Sequence, residues 1–158
     1  MKAAYITHPG APESILFGEL ETPVPQSDQI LVKINTVSVN PIDTYIRSGL
    51  IPMQLPKPFI VGCDFSGTVT SIGTQVTRFK IGDRVWGSNQ GLLGRQGTFS
   101  EFAAVNEMFA YPTPEVVADE DAAALALVGI TAHLGLVQEA RLKAGETLMV
   151  NGGAGGVG

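Results

Sequence analysis

The stretch Gly145-Glu-Thr-Leu-Met-Val-Asn-Gly-Gly-Ala-Gly-Gly-Val-Gly158 decides how the rest of the chain is interpreted. Its first part, residues 146–151, carries three consecutive apolar side chains and predicts a buried strand. The glycines that follow contain the spacing Gly153-x-Gly155-x-x-Gly158. In a dinucleotide-binding fold, such glycines make a tight turn, let the backbone approach a pyrophosphate and allow the next helix to pack closely.

This glycine pattern leaves three interpretations open. The first is a dinucleotide site, whose helix and ribose-binding acidic residue would lie beyond position 158. The second is a P-loop of a nucleotide triphosphatase, because Gly153 and Gly158 have the right separation; it would require Lys at position 159 and Ser or Thr at position 160. The third is a glycine turn that binds no ligand.

Composition excludes several classes of function. The chain has 158 residues and a net charge of −5, with 44% hydrophobic and 16% charged residues. These values are typical of a globular protein and not of a nucleic-acid-binding surface. The N-terminus lacks the apolar core of a secretion signal, and the apolar stretch 122–136 is interrupted by glycines, Thr131 and His133. We therefore expect a cytoplasmic protein that binds neither nucleic acid nor membranes.

The first 111 residues are punctuated as a β-rich region. Alternating apolar residues between Pro and Gly turns predict strands over 2–7, 17–22, 29–39, 64–72, 84–87, 99–105 and 108–111. A change of alternation near Asn35 and Thr36 predicts a bulge. Asn40, Pro41 and Gly49 suit the N-cap, the first turn and the end of one short helix. The glycine-rich residues 87–97 are expected to form a flexible, exposed loop.

The periodicity changes to that of a helix over residues 116–141, which the acidic Asp119, Glu120 and Asp121 open. Gly129 is expected to break this region into two helices. The change of composition near residue 112 is the only candidate domain boundary in the sequence. Cys63 is the single cysteine, which excludes an intramolecular disulfide and every Cys-x-x-Cys metal motif.

Six blocks of sequence carry a family resemblance. They are Ser38-Val-Asn-Pro-Ile-Asp-Thr-Tyr-Ile-Arg-Ser-Gly49, Gly62-Cys-Asp-Phe-Ser-Gly67, Phe79-Lys-Ile-Gly-Asp-Arg-Val85, Gly97-Thr-Phe-Ser-Glu-Phe102, Gly129-Ile-Thr-Ala132 and the closing stretch quoted above. In this order they resemble the medium-chain dehydrogenase/reductase superfamily. Within that superfamily, the first block is similar to the zinc-free NADPH:quinone oxidoreductases of the ζ-crystallin type. The chain resembles the N-terminal part of these enzymes.

The resemblance implies an α+β fold in two parts. Residues 1–122 would form a GroES-like catalytic domain, a partly open β-barrel. Residues 123–158 would supply the first helices and the first strand of a Rossmann domain that is truncated at the glycine motif. Such a truncated chain is expected to bind NADPH poorly and to be inactive alone.

The resemblance also implies the chemistry, which is hydride transfer from NADPH to a quinone or a related conjugated carbonyl. Zinc-containing members have a ligand Cys where this chain has Asn40 and a ligand His where it has Cys63. No metal is therefore expected. Two alternatives stay open: an enone or enoyl-thioester reductase of the same superfamily, and a non-catalytic truncated binding module. A homodimer is expected for the full-length protein.

Individual residues have a functional and a structural interpretation. The resemblance places Asn40, Tyr45 and Thr131 near the nicotinamide. Each also has a structural explanation: Asn40 as an N-cap, Tyr45 as a residue that packs one face of its helix, and Thr131 as the cap of a second helix. Tyr45 is also the candidate catalytic residue, because its phenol could polarise a substrate carbonyl. The motif residues expected to hold the cofactor phosphates are Gly153, Gly155, Gly156, Val157 and Gly158.

Overall fold

Two antiparallel sheets and two helices make up the fold. The computed structural model describes residues 1–158. The elements are β1 (Lys2–Ile6), β2 (Leu16–Glu19), β3 (Gln29–Thr36), α1 (Pro41–Ser48), β4 (Phe59–Ile60), β5 (Phe65–Ile72), β6 (Arg84–Gly87), β7 (Phe102–Asn106), β8 (Ala110–Pro112) and α2 (Asp119–His133). The small sheet has the order β2-β1-β4, and the large sheet has the order β7-β3-β5-β6-β8. This arrangement confirms the β-rich N-terminal region.

The main core lies on one face of the large sheet. Alternate residues of β3, Ile30 and Val32, are fully buried, as are Phe65 at the start of β5 and Val85 in β6. Their period of two matches the pleat of a strand that is buried on one face. The register of β3 against β5 shifts between Ile34 and Thr36, which confirms the predicted bulge.

Helix α1 begins and ends as the sequence predicts. Asn40 precedes it in an extended conformation, and Pro41 is its first residue. The Asp43 carboxylate accepts the backbone N–H of Asn40 at 2.7 Å, as in one half of a capping box. Gly49 ends the helix with φ of +81°, a conformation that glycine adopts without steric cost. Ile46 anchors the helix to the small sheet, in a cluster with Ile6 and Phe59.

The predicted break at Gly129 is wrong. Helix α2 is continuous from Asp119 to His133 and passes into a π-helical turn over Leu134–Glu139. One glycine inside a helix costs about 1 kcal/mol, which is too little to end a helix whose neighbouring residues favour it. The proposed boundary after residue 122 falls inside α2, and the division into two domains stays a prediction.

The combined helical segment Asp119–Glu139 is long and apolar enough, by length and composition only, to cross a membrane, and only 17% of its most apolar window is buried. On those two criteria, the glycines, Thr131 and His133 that interrupt residues 122–136 do not exclude a membrane span. The core helix of a soluble protein passes the same criteria.

The strand predicted over residues 146–151 is not formed. These residues have no strand pairing, and Met149 is 89% exposed. A strand exists only through hydrogen bonds to a neighbouring strand, and neither sheet of the structure extends to this segment. Residues 146–151 therefore have the composition of a buried strand, but residues 1–158 form no sheet with which they pair.

Candidate functional site

A buried carboxylate, Asp64, collects the polar groups around Asn40. Asp64 lies directly before β5 and is fully buried, and Asn40 is only 5% exposed. One oxygen of Asp64, Oδ2, accepts hydrogen bonds from the Asn40 side-chain amide at 2.8 Å and from the Ser38 hydroxyl at 2.9 Å. The backbone N–H of Leu127, inside α2, donates to the same oxygen at 3.2 Å. The other oxygen, Oδ1, has no hydrogen-bond partner.

Two further ionisable groups, Asp43 and Cys63, are buried beside this carboxylate. Burial raises the pKa of Asp43; the Asn40 N–H offsets part of the rise, and the negative charge of Asp64 adds to it. Burial also raises the pKa of the Cys63 thiol, and the charges of Asp43 and Asp64 raise it further. Cys63 is therefore a protonated thiol at neutral pH, as expected for a small buried side chain and not for a nucleophile.

A second carboxylate, Asp119, fixes the start of α2 to the large sheet. It accepts hydrogen bonds from the Asn35 amide at 2.7 Å and the Ser66 hydroxyl at 2.9 Å. Arg84 donates to it at 2.7 Å and also donates to the Val117 carbonyl at 2.8 Å. Burial alone would raise the pKa of Asp119, but these donors together outweigh burial and hold the pKa below its usual value. Helix α2 is thus held at its first residue and, through Leu127, in its interior.

Thr131 and the glycine motif also lie at α2. Thr131 is exposed one turn after Leu127, and its hydroxyl donates to the Leu127 carbonyl at 3.1 Å. Because α2 is unbroken at this point, the interpretation of Thr131 as the cap of a second helix is wrong. A Cβ added to Gly156 would lie 3.3 Å from a methyl group of Val128. The structure therefore links Asn40 to Leu127 of α2 only through Asp64, and it places Gly156 beside the next residue of the helix, Val128.

Tyr45 stands apart from this arrangement. It lies on α1, its side chain is 43% exposed, and its hydroxyl makes no hydrogen bond within the chain. Its side chain makes no hydrogen bond to Asn40 or Asp64. Its ring and hydroxyl are free to meet a ligand.

The glycine motif is an exposed series of turns. Gly152 has φ of +80°, the N–H of Gly155 donates to the Gly152 carbonyl at 2.9 Å, and the N–H of Gly158 donates to the Gly155 carbonyl at 3.1 Å. Gly153 and Val157 lie in the same exposed run. No strand directly precedes these residues in the structure. The glycines among them present backbone without a side chain, which is the property that close approach to a phosphate requires.

The sequence patterns did not single out Asp64, Ser38 or the Asp119 cluster as site residues. An Asp directly before a buried strand is a usable signal, because a carboxylate at such a place must find donors. A cavity of about 580 Å³ contains none of the predicted site residues and is lined by residues such as Glu21, Arg95 and Phe102. No group of three or more His, Cys, Asp or Glu that could hold a metal ion is present.

Comparison with known proteins agrees with this architecture. Residues 26–115 match the model of the alcohol dehydrogenase GroES-like domain. The quinone oxidoreductase of Mus musculus is 38% identical over 159 aligned positions, which cover 100% of this chain and 47% of that protein. The chain thus spans about half the length of the curated relatives it matches.

Solved structures show the same relationship. A quinone oxidoreductase of Pseudomonas syringae superposes with a TM-score of 0.88 at 34% identity, covering 99% of this chain and 46% of that one. The Escherichia coli quinone oxidoreductase complexed with NADPH gives 0.79 at 30% identity, covering 89% of this chain and 41% of that one.

Fold and site define a GroES-like β domain whose buried polar centre is joined to a following helix. The chain belongs to the alcohol dehydrogenase GroES-like family of the medium-chain dehydrogenase/reductase superfamily, and its relatives named above are quinone oxidoreductases. This assignment confirms the family resemblance and the α+β fold class.

Proposed function

We propose that this chain supplies the GroES-like part and the first nucleotide-binding segment of an NADPH-dependent, zinc-independent quinone oxidoreductase. The observation that carries the proposal is the meeting of two features on α2. Leu127 donates to Asp64, which holds Asn40, and the adjacent Val128 faces Gly156 of the glycine motif. Helix α2 therefore contacts both the Asn40–Asp64 pair, whose polar groups suit a nicotinamide carboxamide, and the glycine motif, whose backbone suits a pyrophosphate.

The residues present fit such a cofactor. The exposed motif residues Gly153–Gly158 would hold the phosphates with backbone N–H groups, since four of these six residues are glycines without a side chain to block the approach. Asn40, Tyr45 and Thr131 would hold the nicotinamide end. NADPH, when bound, supplies a hydride, and with one proton from solvent this converts a quinone into a hydroquinone and leaves NADP⁺.

The chain's own contribution is binding and orientation. A quinone is already electrophilic, so it needs a fixed position near the hydride donor and modest polarisation of its carbonyl. The resemblance places Asn40 and Cys63 where zinc-containing relatives have metal ligands, and a lone thiol beside an amide is too small a donor set for a tetrahedral zinc site, which supports chemistry without zinc. For the whole protein, a homodimer and a cytoplasmic location stay predictions.

The test begins with the intact mass of the gene product and then measures NADPH oxidation. We expect quinone-dependent oxidation by a gene product about twice the length of this chain, unchanged after treatment with a metal chelator. We expect none by the 158-residue chain alone, because its motif lies in exposed turns without a flanking strand or helix. Loss of activity on chelation would overturn the zinc-independent part. Faster turnover of alkenals than of quinones would favour the enone reductase.

Substitutions of Tyr45 separate its two proposed roles. If the ring only contacts the cofactor, Tyr45→Phe changes kcat less than about 3-fold, whereas Tyr45→Ala raises the KM for NADPH about 10-fold. Steady-state kinetics of the intact gene product measure both. Tyr111→Ala is the matched control, because Tyr111 is similarly exposed, at 47%, but lies on β8. A drop of kcat by about 100-fold or more in Tyr45→Phe would instead assign proton donation to the phenol.

A further inference from the structure

Asp64 is buried with one of its two carboxylate oxygens unpaired, which a carboxylate that served the fold alone would not require. It is fully buried, and three donors from two separate parts of the chain, the segment before α1 and the interior of α2, converge on Oδ2, while Oδ1 has no partner. An unpaired buried carboxylate oxygen is costly, and an apolar residue at this place would avoid that cost. A carboxylate in this environment therefore points to a function beyond folding.

We propose that Asp64 is the positioning residue of the cofactor site: it holds the Asn40 side-chain amide in one orientation and locks that amide to helix α2. The proposal rests on the proposed function, because it acts through a contact of Asn40 with NADPH. The amide of Asn40 would otherwise rotate about its last side-chain torsion, which is broad. The hydrogen bond of 2.8 Å from the Asn40 amide nitrogen to the buried Asp64 carboxylate fixes the amide in one orientation about this torsion.

The same oxygen ties this orientation to the position of α2. Leu127 donates from the interior of the helix, so a shift of α2 along its axis would withdraw that N–H from Asp64. Thr131 and the contact of Gly156 with Val128 both depend on where α2 lies. Asp64 is thus the one side chain that contacts both the Asn40 amide and the helix on which the other candidate contacts are carried. Asp119 anchors the same helix but does not reach Asn40.

The experiment is a double-mutant cycle between Asp64 and Asn40 in the intact gene product. Asp64→Asn removes the charge but keeps the size, so the protein is expected to fold. We expect NADPH to bind about 5- to 20-fold more weakly to Asp64→Asn, because a charge-assisted hydrogen bond becomes a neutral one. We expect the same substitution to change the NADPH Kd less than about 2-fold in the Asn40→Ala background, since the two residues act as a unit.

A second measurement does not depend on the cofactor. The Asn40 side-chain amide gives a pair of NMR resonances, identified by their loss in Asn40→Ala. We expect their hydrogen exchange to be slow in the wild-type protein and much faster in Asp64→Asn. Val105→Ala is the control for stability alone, because Val105 is fully buried in the core cluster of the large sheet, to which neither Asn40 nor any residue of α2 belongs. It should lower Tm without changing the Kd or the amide resonances.

The outcomes separate the two proposals. Additive effects of Asp64→Asn and Asn40→Ala, or an unchanged Kd in Asp64→Asn, overturn the positioning role and leave the proposed function standing. A wild-type gene product that binds no NADPH, or an Asn40→Ala variant with unchanged affinity, overturns the cofactor role of Asn40 and the positioning role with it. Non-additivity together with the faster amide exchange supports both.

Discussion

Gly67→Ala is expected to destabilise the fold by about 3 kcal/mol or more, a large part of the total stability of a domain of this size. Gly67 lies in β5 between β3 and β6, where its register partners are Ile34 and Val85. A Cβ at this position would lie 2.2 Å from the Lys33 carbonyl oxygen and 2.7 Å from a methyl group of Val32. Because the first of these is backbone in the neighbouring strand, relief requires β3 to move away.

The matched control is Gly129→Ala. Gly129 lies inside α2, and an added Cβ would meet nothing within 4 Å. The same substitution there should stabilise the protein by about 0.5–1 kcal/mol, because alanine restricts the unfolded chain and favours the helix. Urea unfolding of both variants measures the difference as a shift of midpoint in opposite directions. An unchanged midpoint for Gly67→Ala would show that β3 and β5 adjust at little cost.

Local patterns were sufficient for much of this fold because local physics determines those elements. The ends of α1 follow from the conformations that Asn40, Pro41 and Gly49 prefer, and the strands of the large sheet follow from the alternation of buried residues such as Ile30 and Val32. The same reasoning failed where a second element decides. Residues 146–151 have the composition of a strand, but only a neighbouring strand could make them one.

The site was less predictable because its bonds join distant residues. Asp64 is 24 positions from Asn40 and 63 from Leu127, and Asp119 is 84 from Asn35. Nothing in the sequence near any of these residues indicates its partner. The loop over 87–97 shows the same limit: it was expected to be exposed, yet Gln90 and Gly97, towards its two ends, are buried, and their backbone N–H groups donate to the carbonyls of Cys63 and Ile60. That expectation is wrong for these ends.

Gly155→Val is expected to weaken NADPH binding to the intact gene product about 100-fold or more, equivalent to about 2.8 kcal/mol, without lowering Tm. The second glycine of the motif is the one whose missing side chain lets backbone approach a pyrophosphate. In the structure its Cβ would meet only the Gly152 carbonyl, at 3.3 Å, in an exposed turn. The substitution is therefore not expected to lower the stability of the fold, so a loss of NADPH affinity would report the loss of a contact with the ligand.

The control and the rival interpretation use the same titration. Gly135→Val introduces the same side chain where nothing lies within 4 Å, outside the motif, and should leave the NADPH Kd unchanged. A P-loop would use Gly153 and Gly158 but accept a side chain at position 155, and it would bind Mg·ATP in place of NADPH. Binding of ATP that survives Gly155→Val would therefore contradict the dinucleotide interpretation. Loss of NADPH affinity in Gly155→Val but not in Gly135→Val would establish that the backbone of these exposed turns binds the pyrophosphate.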